Sequence, residues 1–190
     1  MKNHFFLVVI FISTLCFSQT DYSDSWEDFY SYNNVKDFIV VANRIYALAD
    51  NAVFIYNIDT KETKKLSSVQ GLSGETTTAI YYNTTFKRLV IGYQNGGIEV
   101  VDENNEITIS SDIVNFNQSG EKSINHISGF ETKLYLSTPF GIVVYDIEKL
   151  EFGDTYFIGN NSNAVNINET VIFNNQIYAA TEVGIFNADV

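Results

Sequence analysis

Few residues of this chain have the type and spacing that catalysis or metal binding requires. His126, in the segment Ser-Ile-Asn-His-Ile-Ser, has no second histidine or cysteine at metal-ligand spacing beside it, so a transition-metal site is not supported. The single cysteine, Cys16, lies near the amino terminus. Because no Gly-x-Ser-x-Gly motif is present either, the nucleophilic hydrolase patterns fail. The sequence therefore predicts no catalytic residue, no metal ligand and no cofactor.

Acidic residues are the remaining candidates for chemistry. Four of them lie close together near the amino terminus: Asp21, Asp24, Glu27 and Asp28. They lack the glycine and the closing glutamate of a calcium-binding loop, and we interpret them as a solvated acidic segment. Paired carboxylates could also hydrolyse glycosides, but 23 acidic residues spread along the chain bring some pairs together whatever the function. Neither pattern identifies a site.

The elements that would position any site are set by an internal repeat. Four similar segments, each an apolar strand, a short turn and a second strand, begin at Ile45, Leu89, Leu134 and Ile177, at spacings of 44, 45 and 43 residues. A small residue marks each turn, at Ala52, Gly97, Gly141 and Gly184. An aspartate closes three of the second strands, at Asp102, Asp146 and Asp189, and the first copy slips by a residue or two to Asp59.

Periods of this length built from short strands are typical of β-propeller blades. We expect an all-β fold, an incomplete propeller of about three and a half four-stranded blades without a long helix. The predicted blades are residues 35–77, 78–122, 123–164 and 165–190. A blade buries its faces only against neighbouring blades, so we expect the chain to be the beginning of a longer protein; a truncated gene product is the alternative.

The amino terminus has the pattern of an export signal. A basic residue, Lys2, precedes an apolar run at residues 5–12, and a cleavage site before Gln19 is plausible. We predict a signal peptide at residues 1–18, a polar and aromatic lead at 19–34, and location in the periplasm or at the outer-membrane surface. A lipoprotein signal ending at Cys16 is the alternative, but Leu15 is larger than the residue such signals place before the cysteine.

The charge of the chain limits its partners. With 11 basic and 23 acidic residues the formal net charge is −12, and no block of basic residues is longer than two. Nucleic acids and anionic membrane surfaces are therefore poor partners.

Several stretches resemble the N-terminal propeller of the PorZ family, surface components of the type IX secretion system of the Bacteroidetes. They are WEDFYSYNN at residues 26–34, LSSVQGLS at 66–73, PFGIVVYDIEKLEFGDTYFIG at 139–159 and IYAATEVGIFNAD at 177–189. The resemblance implies two propellers and a sorting-type β-domain, acting with a sortase to attach cargo to anionic lipopolysaccharide. It also implies that lipopolysaccharide is bound through a carboxy-terminal domain that this sequence does not contain.

One rim of such a propeller is the expected docking surface. The turn in the middle of each repeat and the link to the next blade lie at the same end of the sheet, which brings Asn51, Asn95, Phe140 and Glu182 to one rim. Loops held by a rigid scaffold commonly bind partners. Phe140 and Trp26 are the bulky candidates for exposed anchors; alternatively Phe140 packs between blades and Trp26 covers the start of the first blade.

Together these observations favour a non-enzymatic scaffold that docks a protein at the outer-membrane surface. Two other classes stay open. A periplasmic sensor propeller of a hybrid two-component regulator has the same blade pattern, and a surface glycan-active enzyme would use acids at the propeller centre. Only the resemblance distinguishes the first of these from a secretion component.

Overall fold

The computed structural model describes residues 33–117 and 119–190. The predicted signal peptide, most of the lead, Trp26 and the four clustered acids lie outside the described residues.

The described chain forms four antiparallel sheets, and each sheet follows chain order from its first strand to its last. The first contains β1 (Asp37–Val41), β2 (Arg44–Ala49), β3 (Ala52–Asn57) and β4 (Thr63–Leu66). The second contains β5 (Thr77–Asn83), β6 (Arg88–Tyr93), β7 (Ile98–Val101) and β8 (Ile107–Ser110). The third contains β9 (His126–Phe130), β10 (Lys133–Thr138), β11 (Gly141–Asp146) and β12 (Glu151–Tyr156). The last contains β13 (Ile167–Phe173), β14 (Gln176–Thr181) and β15 (Gly184–Asp189).

This arrangement confirms the predicted all-β fold, with propeller blades that do not close into a ring. Within the described residues the one α-helix, α1, is the four-residue segment Asp112–Asn115 in the link between β8 and β9. Short 3₁₀ turns occur at Ser68–Gln70 and Asn160–Ser162. Among the helices of the described chain, none has the length and apolar character needed to cross a membrane.

The buried residues lie between the sheets. Along β6, Val90 belongs to the cluster between the second and third sheets, whereas its neighbours Leu89 and Ile91 belong to the cluster between the first and second. In β10, Leu134 faces the second sheet and Tyr135 the fourth. Successive side chains of a strand point to opposite faces, so both faces of these central strands are buried.

Polar side chains also connect neighbouring sheets, and three of them reach main-chain carbonyl groups. The Lys36 ammonium donates to the Thr77 carbonyl oxygen at 2.8 Å, and the Asn125 amide donates to that of Ile167 at 2.8 Å. The Arg88 guanidinium donates to the carbonyl oxygen of Ile147. Each contact spans two sheets, so it fixes one blade relative to the next.

The aspartate at the end of the repeat has a structural purpose. Asp102 Oδ1 accepts the N–H groups of Asn104 and Glu106 at 2.8 and 2.9 Å. Asp146 Oδ1 accepts the N–H groups of the second and third residues after it, at 3.1 and 3.0 Å. These bonds form the turn before the fourth strand, as short polar side chains commonly do.

The first blade places Asn57 in this position, which corrects the alignment of the first repeat with Asp59. Asn57 Oδ1 accepts the N–H groups of Asp59 and Thr60 at 2.9 and 3.1 Å. An amide oxygen accepts hydrogen bonds as a carboxylate does. Asparagine therefore forms the same turn in the first sheet as aspartate forms in the next two. The first repeat therefore does not slip.

Two blades approach closely at Gly92, so an added methyl group at this position should lower stability. A Cβ there would lie 2.8 Å from Cβ of Ile124, which is fully buried. We expect Gly92→Ala to lower the free energy of unfolding by about 1–3 kcal/mol, the usual effect of overpacking. Gly153→Ala is the matched control, because its Cβ would meet Val144 at an ordinary 3.6 Å. Urea unfolding measures both, and equal stability of the two variants would contradict the packing described.

Asp146 predicts a dependence of stability on pH. The ammonium of Lys133 donates to its carboxylate at 2.6 Å and holds the pKa of Asp146 below its usual range. A lowered pKa adds stability above the unfolded pKa and loses it as the pH falls through the folded pKa.

We expect Asp146→Asn to be less stable than the parent chain by about 1 kcal/mol at pH 7. This difference should shrink as the pH falls below about 4. Asp146→Ala should be the less stable variant at every pH, because alanine has no oxygen for the turn. Thermal unfolding from pH 7 to pH 3 measures the two effects, and a difference that does not change with pH would argue against the ion pair.

Candidate docking rim

The candidate docking rim consists of the turns between the second and third strands of each sheet and the links between sheets. Hydrogen bonds tie turns to links: the N–H of Thr77 donates to the Asp50 carbonyl oxygen at 2.8 Å, and the N–H of Gln94 donates to that of Thr76 at 2.9 Å. Turns and links therefore form one surface at the same end of the blades.

Two of the predicted rim residues serve the turns themselves. Asn51 is half-buried, and its amide donates to the Gly74 carbonyl oxygen in the first link at 2.7 Å. Asn95 is exposed, and its Oδ1 accepts the Gly97 N–H at 2.9 Å. Asn95 can therefore reach a partner, whereas Asn51 is held by the link.

Gly96 shows how closely the second link packs on this rim. Its φ is +89°, which favours glycine, and a Cβ would lie 2.7 Å from the Lys122 carbonyl oxygen and from Cγ2 of Ile113. The Gly-Gly pair thus serves a tight turn under the link.

Phe140 is not an exposed anchor. Its side chain is only 3% exposed and belongs to the cluster between the second and third sheets. The ring of Phe116, from the link that contains α1, stacks on it with centroids 5.8 Å apart, and Phe116 is 41% exposed. The accessible aromatic surface at this position therefore belongs to Phe116, with Phe140 beneath it.

An apolar groove of about 190 Å³ adjoins this aromatic pair. It lies between α1 and the last two strands of the third sheet, β11 and β12. Its lining residues are Asp112, Ile113, Phe116, Phe140, Val143, Phe152, Gly153 and Thr155. We call it the rim groove. A protruding apolar side chain of a partner fits a space of this size and character.

Glu182 is exposed, and its carboxylate accepts the Asn166 amide at 3.3 Å. The next residue, Val183, is 74% exposed. Thr181 builds this turn as Thr138 builds the turn at Phe140, since each hydroxyl accepts the N–H two residues on. Val183 thus occupies the position of Phe140 in the last sheet, but on the surface.

A buried carboxylate beneath the first link was missed by the sequence analysis. Glu99, in β7, is 1% exposed; it accepts the Ser73 N–H at 2.9 Å and the hydroxyl of Tyr93. Burial, followed by this hydrogen bond, raises the pKa of Tyr93 above its usual value. Glu99 therefore holds the link in place. An acidic residue inside the apolar run Ile-Glu-Val-Val is the one signal that could have revealed it.

His126 lies at the start of β9, with Nε2 3.9 Å from the Glu169 carboxylate. Across the described part of the chain, no three His, Cys, Asp or Glu side chains come together as metal ligands would.

The fold defines a class of protein: a β-propeller scaffold with a rim of turns and links at one end of its blades. The family model of the PorZ N-terminal β-propeller domain, described as a type IX secretion component, matches residues 45–190. The chain belongs to this family.

Solved structures with a similar fold come from several functional classes. PorZ of Porphyromonas gingivalis, described as an essential surface component of the type IX secretion system, superposes with a TM-score of 0.74 at 20% identity over 86% of this chain. Sqt1 of Saccharomyces cerevisiae gives 0.68 at 16% identity over 85% of this chain. The extracellular domain of a putative hybrid two-component system of B. thetaiotaomicron gives 0.66 at 16% identity over 86%.

The chain spans 22% of the PorZ structure, 48% of Sqt1 and 22% of the two-component domain. At these identities the likeness shows the fold alone. No curated protein sequence matches the chain significantly.

The two stacked rings at the rim should contribute unequally to the free energy of unfolding. We expect Phe140→Ala to cost about 3–5 kcal/mol of unfolding free energy, as for other buried aromatic residues. Phe116→Ala should cost about 1 kcal/mol, because much of its ring already contacts water. Chemical unfolding of the two variants measures this. Equal costs would mean that Phe116 is core and not an accessible rim residue.

Proposed function

We propose that this chain is the propeller part of an exported type IX secretion component, and that it docks a protein partner through the rim without catalysing a reaction. The observation that carries the proposal is the family match over residues 45–190. The predicted export signal supports location in the periplasm or at the outer-membrane surface.

The rim supports docking in physical terms. Phe116 offers an accessible ring beside the rim groove, and Val183 offers an exposed apolar side chain on the last turn. Aromatic and apolar side chains at a rim contribute most when a partner removes them from water. Beneath them, Phe140 and the buried Glu99 keep the surface rigid, so little ordering energy is lost on binding.

The partner that we propose is the sortase of the cargo-attachment complex, on the resemblance to the family. Lipopolysaccharide contact is assigned to a domain outside the described propeller, also on that resemblance. The rim groove and Phe116 are the elements of this chain that we assign to the protein partner.

A second candidate function is sensing by a hybrid two-component regulator. The TM-score of 0.66 with the extracellular domain of such a system supports it. The family match favours the secretion role. The two candidate functions predict different effects of deleting the gene.

The test removes the encoding gene from a bacterium that carries a type IX system and measures cargo attached to the cell surface. We expect surface cargo to fall strongly on deletion and to be restored by the unaltered gene. Restoration with Phe116→Asp should fail, because a carboxylate placed at the groove opposes burial of an apolar side chain. Ile109→Asp is the control, since Ile109 is also an exposed apolar residue, at 62% against 41% for Phe116, but lies on the outer strand β8.

Two results would contradict the proposal separately. Normal surface cargo after deletion would exclude the secretion role, and altered transcription of a regulated gene set would then favour the sensor. Normal cargo with Phe116→Asp, despite loss on deletion, would leave the secretion role but exclude docking through the rim groove.

A further inference from the structure

The second strands of the first three sheets begin with a basic residue: Arg44 in β2, Arg88 in β6 and Lys133 in β10. These residues occupy the same position of the repeat, at the end of the blade opposite to the docking rim. They differ in whether the side chain contacts another part of the protein.

Two of the three basic side chains, those of Arg88 and Lys133, make contacts within the fold. The Arg88 guanidinium donates to the carbonyl oxygens of Ile147 and, at 3.1 Å, Glu148 in the next sheet, and it lies 5.7 Å from the centre of the Phe86 ring. The Lys133 ammonium donates to the Asp146 carboxylate of its own sheet. Both cations therefore have a structural purpose.

The side chain of Arg44 makes no hydrogen bond or ion pair with residues 33–117 or 119–190. It lines a groove of about 310 Å³ between the first and second sheets, where Arg88 at the next interface instead contacts its neighbour. The groove lining is Arg44, Tyr46, Ile55, Leu66, Tyr82, Lys87, Leu89, Val101, Asp102, Glu103 and Asn105. The first interface thus leaves a cation and a cavity where the second has a closed contact.

Two tyrosines bring further polar groups to this groove. The rings of Tyr46 and Tyr82 lie 5.4 Å apart, and neither hydroxyl makes a hydrogen bond within the described chain. Burial, and next the nearby Tyr46, raise the pKa of Tyr82, while Arg44 and Lys87 act in the opposite direction. The Tyr82 hydroxyl therefore lies within electrostatic reach of both cations.

The charges around the groove limit the ligand. The Lys87 ammonium is paired with the Glu103 carboxylate at 2.7 Å, and Asp102 adds a second acid to the lining. The lining thus holds two cations and two acids, and Arg44 is the cation that has no ion-pair partner among the described residues. A ligand with one carboxylate can pair with the Arg44 guanidinium, whereas the two acids would repel a doubly charged phosphate more strongly.

We propose that the groove binds a small ligand that bears one carboxylate. The guanidinium of Arg44 holds the carboxylate through two parallel N–H donors, the geometry for which this group is suited. The hydroxyls of Tyr46 and Tyr82 donate to the ligand, and Ile55, Leu66 and Leu89 contact its nonpolar face. The volume lies at the lower end of the range for small-molecule pockets.

A carboxylate of this kind could belong to a sugar acid or to the end of a peptide, and the test separates the two. The full chain, labelled with ¹⁵N, is titrated with glucuronate and with N-acetyl-leucine, and in parallel with their neutral counterparts, glucose and N-acetyl-leucine amide. We expect at least one carboxylate probe to shift the amide signals of the groove residues, with a Kd on the order of 1 mM. The neutral counterparts should bind at least about tenfold more weakly.

Variants locate the site. Arg44→Gln should weaken binding of the active probe at least about tenfold, Arg44→Lys less so, because lysine keeps the charge without the paired donors. Lys64→Gln is the matched control, as it removes an exposed cation on β4, outside the groove. Dispersed spectra of each variant establish that it is folded.

Each outcome decides the proposal. Binding of glucuronate alone identifies a sugar acid, binding of N-acetyl-leucine alone identifies a peptide end, and binding of both identifies the carboxylate as the recognised group. Absence of shifts from both carboxylate probes up to about 10 mM, equal binding of the neutral probes, or equal loss in Lys64→Gln would overturn it. None of these results depends on the secretion role.

Discussion

The whole architecture depends on burying sheet faces against neighbouring sheets, and the second and third sheets bury both of their faces in this way. The strand β6 illustrates this constraint, because Ile91 packs towards the first sheet and Val90 towards the third. No sheet has a core of its own, so the energy that holds a blade together comes from contacts between blades. Links, turns and grooves therefore belong to the interfaces between blades. The shape of each groove depends on how completely the side chains fill that interface.

The fold was predictable from the sequence because its signals are local. Strand runs of β-branched and aromatic residues, and turns after them, recur at fixed spacing, and each repeat folds into one sheet. The first repeat was misaligned at Asp59 for a reason that is also local. Asn57 makes the same turn through an amide oxygen, and a comparison of residue types alone does not recognise this equivalence.

The rim was less predictable, because exposure depends on contacts far apart in sequence. The turn containing Phe140 was correctly sited at the end of a blade, yet nothing in its own segment reveals that Phe116 covers it. In the sequence Glu99 is only one acid in an apolar strand, and its role depends on the first link, whose Ser73 N–H it accepts. Arg44 and Arg88 are the same residue at the same repeat position, and only the neighbouring blade distinguishes a free cation from a structural one.

The polar contacts between blades have an evolutionary consequence. Lys36, Arg88 and Asn125 each reach a main-chain carbonyl oxygen of the next blade, and such an oxygen is present whichever residue occupies the position. These hydrogen bonds therefore require a particular side chain only at the donor position. Substitution of an accepting residue preserves such a hydrogen bond as long as the main chain keeps its position, so contacts of this kind tolerate divergence of the sequence.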